Sequence, residues 1–383
     1  MKILGISYLF DKSGAGVNER QLLIELCKGI TCIILSPIDI SNVRKLRHVL
    51  SSTYRDFQSG NVFIFPLVIP RLFIIEIIVL ILLSPILFLL NIILKFDLIY
   101  IRGTLLAFGP LVFRSLASRA VVKIMALLED EERRPMYRVL LRVVVPVIER
   151  FIISRSRFIA TPTPLMFREL CLRRGLVPRI VILVPPGVKC GKIFALRKNK
   201  IGTDSFKVGF VGALFWWQGV DILVRAVAKL AGFGVKIKLV IVGDGPERNR
   251  ILELCHKLKV DCVITGFVNH ETALKIMTQL DVLVVPRIRM STTENVLPIK
   301  IIEAWALGIP VIATHHKIFD SLGLRDGEDL LYCEPDPSDV ADKIMILVND
   351  VELRRKLVKN GYLRASEFCY EKISRRLLNI IES

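Results

Sequence analysis

The stretch STTENVLPIKIIEAWALGIPVIAT, residues 291–314, decides how the chain is read. Its spacing predicts a loop, a helix over 297–307, a Gly-Ile-Pro turn and a buried strand. Gly308 suits the helix C-cap, and Pro310 stops further helix. Glu303 sits mid-helix, three residues after Lys300 and on the same face. A loop feeding a helix N-terminus at the edge of a parallel sheet is a natural anion site. Free backbone N–H groups and the positive end of the helix dipole point the same way there. A carboxylate one turn further in accepts both hydroxyls of a ribose, while Lys300 meets phosphate. The stretch therefore reads as a nucleotide-phosphate site, against the plainer reading of an amphipathic helix followed by a core strand.

Outward from it, strands are expected over 207–211, 238–242, 262–265 and 282–285, alternating with helices over 220–230, 247–258 and 270–278. Such alternation indicates an α/β, doubly wound parallel sheet. Three strand ends carry GDGP (243–246), TGFV (265–268) and DVLVVP (281–286). With P-x-K-x-x-E-A-x-A-x-G-x-P-V-I (298–312), they resemble the donor domain of retaining glycosyltransferases of family 4.

The resemblance implies a GT-B fold, with two Rossmann-like parallel-sheet domains facing a cleft. It implies transfer of a sugar from a nucleotide diphosphate donor, UDP- or GDP-linked, with retention of configuration and neither metal nor other cofactor. Glu303 would hold the ribose, and Lys300 with the loop Asn295, Val296, Leu297 and Pro298 the diphosphate. Phe267 and Val268 would meet the base, with Gly212, Gln218, Gly243 and Gly245 lining the strand ends. Two departures stand out. GALFWWQGVD (212–221) replaces the family's G-R-L-x-x-x-K-G, so Ala213 and Gln218 stand where an arginine and a lysine neutralise the diphosphate. The first acid of the E-x7-E pair falls at Asn295, with Glu294 one residue away. One reading is a subfamily that neutralises phosphate through Lys300 with Arg287 or Arg289, Trp217 packing in the loop, and Lys300 and Glu294 as catalytic candidates. The other is an inactive enzyme.

At 383 residues the chain holds two ordinary domains. The expected division is a first domain over 1–186, a linker over 187–204, the donor domain over 205–365 and a tail helix over 366–383 that crosses back. Hydrophobic residues at 52% and a mean hydropathy of +0.52 point to a membrane contact. A net charge of +18 calls for anionic partners. No nucleic-acid module accompanies that charge, which leaves phosphorylated substrates and a membrane surface. The eight cysteines are scattered without metal-binding spacing, favouring reduced thiols and an intracellular setting. MKILGISYLF begins as a strand and lacks the pattern of a signal peptide.

In the first half, Gly14 and Gly16 are expected to form a tight turn before a helix starting near Val17. By resemblance this is the acceptor-side loop. A basic helix is expected around Arg44, Lys45 and Arg47. Leu72–Leu94 is long and apolar enough to cross a membrane, broken only by Glu76, Ser84, Pro85 and Asn91. The flanking strands over 62–67 and 97–102 are expected to be neighbours in one parallel sheet, so the segment has to return to the side it left. It reads as a helix, or a hairpin kinked at Pro85, partly sunk in lipid, against an ordinary buried crossover helix. The acidic run Glu129–Glu132 follows the strand over 120–125. Glu131 there is a candidate proton acceptor or acceptor ligand, and equally a solvated turn residue. Arg134, Arg138 and Arg142 form a basic stripe suited to headgroups or a lipid pyrophosphate.

The whole reads as a glycosyltransferase on the cytoplasmic face of a membrane, acting on a lipid-linked or glycan acceptor. The rivals are a catalytically silent GT-B protein that anchors a partner enzyme, and a GT-B sugar epimerase, which needs no membrane helix.

Overall fold

The computed structural model describes residues 1–9, 14–39, 57, 61–69, 73–125, 135–175, 180–196 and 205–382. The chain forms two compact units: Met1–Gly187 with Tyr370–Ser383, and Val188–Cys369.

The first unit is built on a seven-stranded parallel sheet. Its strands are β1 (Lys2–Ile6), β2 (Thr31–Asp39), β3 (Val62–Ile69), β4 (Leu98–Arg102), β5 (Ala120–Lys123), β6 (Phe158–Thr161) and β7 (Val181–Leu183). Their order is β3-β2-β1-β4-β5-β6-β7. The strands are nearly continuous apolar runs because helices cover both faces. On one face Ile3, Leu98 and Tyr100 pack with Leu22, Leu23 and Leu26 of α1 (Gly14–Leu26) and with the tail helix Tyr370–Glu382. Tyr370, Ile373, Leu377 and Ile381 supply that helix's buried stripe at the spacing a helix requires. On the other face Leu4, Ile6, Ile99 and Ile101 pack against Leu87, Leu106 and Ile152.

Several expectations need correction here. α1 begins at Gly14, so Gly14 and Gly16 lie in its first turns, a position where glycine is readily accommodated. The strands flanking the apolar segment share one sheet but are not neighbours, because β2 and β1 lie between them. The segment is one continuous helix, Phe73–Leu94, with Pro85 inside it. A proline removes a single backbone bond, and the turns on either side keep theirs. Among the described residues no helix is long and apolar enough to cross a membrane; in this helix, side chains are described continuously only over 81–94.

Over 81–94 that helix leaves much of its apolar surface facing outward. Ser84, Leu87 and Asn91, at i, i+3 and i+7, are buried, while Leu82, Ile86, Leu89 and Ile93 face outward, Ile93 at 73% exposure. Asn91 accepts a long hydrogen bond from Arg119 at 3.5 Å. Phe63 and Phe65 on the edge strand β3 and Val143 and Val147 on the helix Pro135–Arg155 are exposed as well. Of the basic stripe Arg142 is exposed; Arg134, Glu131 and the run around Arg44 lie outside the described residues.

The second unit carries a six-stranded parallel sheet of order β10-β9-β8-β11-β12-β13. These are β8 (Phe206–Val211), β9 (Ile237–Val242), β10 (Cys262–Ile264), β11 (Val282–Val285), β12 (Val311–Thr314) and β13 (Leu331–Cys333). Residues 188–196, assigned to a linker by sequence, fold with this unit. Cys27 pairs with Cys32, and Cys190 with Cys369, as disulfides, contrary to the expectation of reduced thiols. The pairing of Val188 beside Cys369 brings the second pair together across 179 residues, which linear spacing does not reveal.

Candidate active site

The winding of the second sheet reverses between β8 and β11, with β9 and β10 on one side and β12 and β13 on the other. Ligands of open α/β sheets bind beyond the strand C-termini at such a reversal. Gly212 follows β8, Gly243 follows β9 and Arg287 lies just past β11, so the chain delivers its special residues to this edge.

The helix of the opening stretch runs Ile299–Leu307, beginning two residues later than its spacing suggested, and Gly308 caps it in the left-handed region at φ 73°. Lys300 projects from its first turn. The ammonium lies 4.1 Å from the Phe210 ring centre and donates to Gln218 Oε1 at 3.2 Å. A Cβ at Gly212 would stand 2.6 Å from Nζ, and one at Gly243 would stand 1.9 Å from the Gly212 carbonyl oxygen. Both positions also have positive φ, so each requires glycine for space and for backbone conformation. Gly245 is packed as closely against the backbone of Leu214.

Arg287 reaches the same amide. Its Nε donates to Gln218 Oε1 at 3.4 Å, and its guanidinium lies 5.3 Å from the Trp217 ring centre. Trp217 in turn stacks on Phe215. Burial pulls Arg287 down to about 10, still charged at neutral pH. Burial first, then the Arg287 charge, hold Lys300 well below its ordinary range, with Glu303 acting in the opposite sense. Lys300 and Arg287 thus converge on one neutral oxygen of Gln218, a residue only 4% exposed. Arg289, the other arginine considered, is committed elsewhere, forming a two-pronged pair with Glu334 at 2.5 and 2.8 Å.

Glu303 is 8% exposed and shares a 2.6 Å hydrogen bond with His270 Nε2. That bond raises the histidine's pKa against the opposing effect of burial. Glu294 lies toward β12: Oε2 accepts from the Lys317 backbone N–H at 2.7 Å, and Oε1 is 3.6 Å from His316 Nδ1. Burial presses His316 down to about 4, so the imidazole is neutral. Leu297 and Pro298 are buried, Asn295 and Val296 half-buried, and Phe267 is open to solvent at 74% beside half-buried Val268.

The structure therefore joins Lys300, Gln218, Gly212 and Arg287 in one cluster and puts Glu303 on a separate partner. Glu294 sits with His316. Gly14 and Gly16 belong to the first unit. The partnerships of His270 and His316 escaped sequence reading, because each pairs with an acid more than twenty positions away and no motif links them.

The fold is that of the two-domain GT-B glycosyltransferases: a structure of Anabaena HepE in complex with UDP matches with a TM-score of 0.73 over 100% of both chains, at 15% sequence identity. The model of the glycosyl transferases group 1 family matches residues 192–364. Among curated relatives, the lipopolysaccharide core biosynthesis glycosyltransferase LpsE of Rhizobium meliloti is 29% identical over 50% of this chain and 55% of its own. A phosphatidylinositol N-acetylglucosaminyltransferase component from Arabidopsis thaliana is 24% identical over 49% of this chain and 42% of its own. The chain thus spans about half the length of the curated relatives it matches.

Proposed function

We propose that the protein moves a sugar from a nucleoside diphosphate donor to a lipid-linked acceptor at a membrane surface, with retention and without a metal. The observation that carries this reading is the Lys300–Gln218–Arg287 cluster at the winding reversal. A departing diphosphate develops negative charge, and fixed cations there meet it with no reorganisation at the moment of reaction. Arg287, arriving from β11, supplies the charge that Ala213 and Gln218 lack. Glu303 holds the ribose after releasing His270, the loop Asn295–Pro298 lies along the diphosphate, and exposed Phe267 takes the base. Glu294 serves the sugar, and Glu131 remains the candidate acceptor of the hydroxyl proton.

The membrane part of the proposal rests on the helix Phe73–Leu94. A helix on an ordinary surface turns its apolar stripe inward, whereas over 81–94 this helix turns Ser84 and Asn91 inward beside Leu87 and leaves Leu82, Ile86, Leu89 and Ile93 exposed. An apolar face of this kind in a chain of charge +18 fits a leaflet of anionic lipid. The names of the LpsE and phosphatidylinositol relatives lend support to a lipid-borne acceptor. The test incubates purified protein with a panel of UDP- and GDP-sugars and scores released nucleotide with and without lipid extract. Release that depends on lipid is the expected result. No release from any donor would favour the reading of a catalytically silent partner protein.

A further inference from the structure

A second charged cluster occupies the corresponding edge of the first sheet. There the winding reverses between β1 and β4. Arg102 ends β4 and Lys123 ends β5, in register with each other, and Glu19 reaches both from α1. Lys123 Nζ donates to Glu19 Oε2 at 2.9 Å, and the Tyr100 hydroxyl donates to Oε1 at 2.6 Å. The Arg102 guanidinium only approaches Oε2, at 3.7 Å.

Burial alone would raise Glu19, but Lys123, Arg102 and the two hydrogen bonds outweigh it and lower its pKa. Burial and then Glu19 push Tyr100 well above its ordinary value. Among the described residues the cluster therefore sets one ionised carboxylate and a neutral phenol against Lys123 and Arg102, so the basic groups outnumber the acid by one, while burial lowers Lys123's own pKa. Glu19 and Lys123 are each 1% exposed, where water cannot solvate that surplus. The Arg102 side chain, at 10%, is the most open of the charged groups.

Unpartnered donors lie close by. The register that pairs Ile6 with Ile101 carries Ser7 alongside Arg102, and the Ser7 hydroxyl is fully buried with no hydrogen-bond partner among the described residues. Asn18, next to Glu19 on α1 and 7% exposed, has no partner for its Nδ2 among the described residues.

We propose that this cluster is an anion subsite of the first unit, taking a phosphate or diphosphate group through Arg102, with Ser7 and Asn18 as neutral donors. Glu19 and Lys123 position Arg102 and do not bind the ligand. Naming the anion as part of the acceptor rests on the glycosyl-transfer reading; the site itself does not.

The test is a calorimetric titration of inorganic pyrophosphate into the full chain carrying Arg287→Gln and Lys300→Ala, which removes the two basic groups that meet at Gln218. One pyrophosphate should still bind. Adding Arg102→Gln should weaken it about ten- to hundredfold, about 1.4–2.8 kcal/mol at 1.4 per decade, while Arg102→Lys should keep most of the affinity. Alone, Arg102→Gln should melt at or above wild type, since it removes the surplus charge. Pyrophosphate affinity indifferent to Arg102, or a lower melting temperature without any binding loss, would overturn the proposal. Vesicles then separate the sources. Arg102-dependent binding to vesicles bearing a lipid diphosphate, beyond that to phosphatidylglycerol vesicles, marks an acceptor headgroup. Equal binding to both, indifferent to Arg102, marks only a basic surface and contradicts the subsite. Should nucleotide release fail while Arg102-dependent pyrophosphate binding persists, the transfer reading falls and the subsite stands.

Discussion

Each unit gathers two cations at its winding reversal, and the two clusters differ in what lies at the hub. In the first, the hub is the carboxylate of Glu19, held by Lys123 and Tyr100. In the second it is the neutral amide of Gln218, approached by Lys300 and Arg287. A carboxylate hub balances one cation permanently and leaves the other for a ligand. An amide hub balances neither Lys300 nor Arg287, and burial, then the Arg287 charge, holds Lys300's pKa well below its ordinary range. The charge of a single buried side chain thus separates a cluster with a carboxylate counter-charge from one without.

The largest effect should follow from removing the carboxylate hub. Glu19→Gln leaves Lys123 and Arg102 buried without a counter-charge, which should cost about 3–5 kcal/mol of stability in denaturant unfolding. An unchanged midpoint would mean that Glu19 balances nothing. Next comes Lys300→Ala, which should lower kcat by roughly 10²–10³, the range for losing one preorganised donor. If turnover stays within about twofold, less than 0.5 kcal/mol of barrier, Lys300 plays no part in catalysis.

A smaller effect tests the neighbouring acid. Glu303→Gln should cost about 1.5–3 kcal/mol of nucleotide binding by calorimetry. The pH dependence follows from His270, whose pKa is raised by its bond to Glu303. A raised value means that the pair's contribution to stability is full below about 6.5 and is lost as pH rises through the raised value. In the proposed function ribose competes for the same carboxylate, so nucleotide affinity should improve as pH rises through that window, with a proton released on binding. Affinity flat across the window would separate His270 from the ribose site.

Much of the second unit was legible before any coordinates. Strands such as Val282–Val285 are short apolar runs bounded by turn residues, and Gly308 and Pro310 punctuate their helix unmistakably. The first unit was harder to read. The period of Leu72–Leu94 gives no face, because nearly every residue is apolar, and only burial shows that Ser84 and Asn91 turn inward. The neighbours expected of β3 and β4 were mistaken because chain order does not disclose that β1 and β2 lie between them. Arg287 was readable as one of two candidate cations. Choosing it over Arg289 needed Glu334, 45 residues away.

The measurement that bears most directly on the donor site turns one hub into the other. Gln218→Glu places a carboxylate between Lys300 and Arg287, as Glu19 does in the first unit. Thermal melting of this variant, with and without nucleoside diphosphate, should show a midpoint above wild type by roughly 2–4 °C per kcal/mol gained. The shift that nucleotide produces in wild type should disappear, because the anion's place is already filled. A lower midpoint, with the nucleotide shift intact, would contradict the assignment of Lys300 and Arg287 as the diphosphate-binding pair.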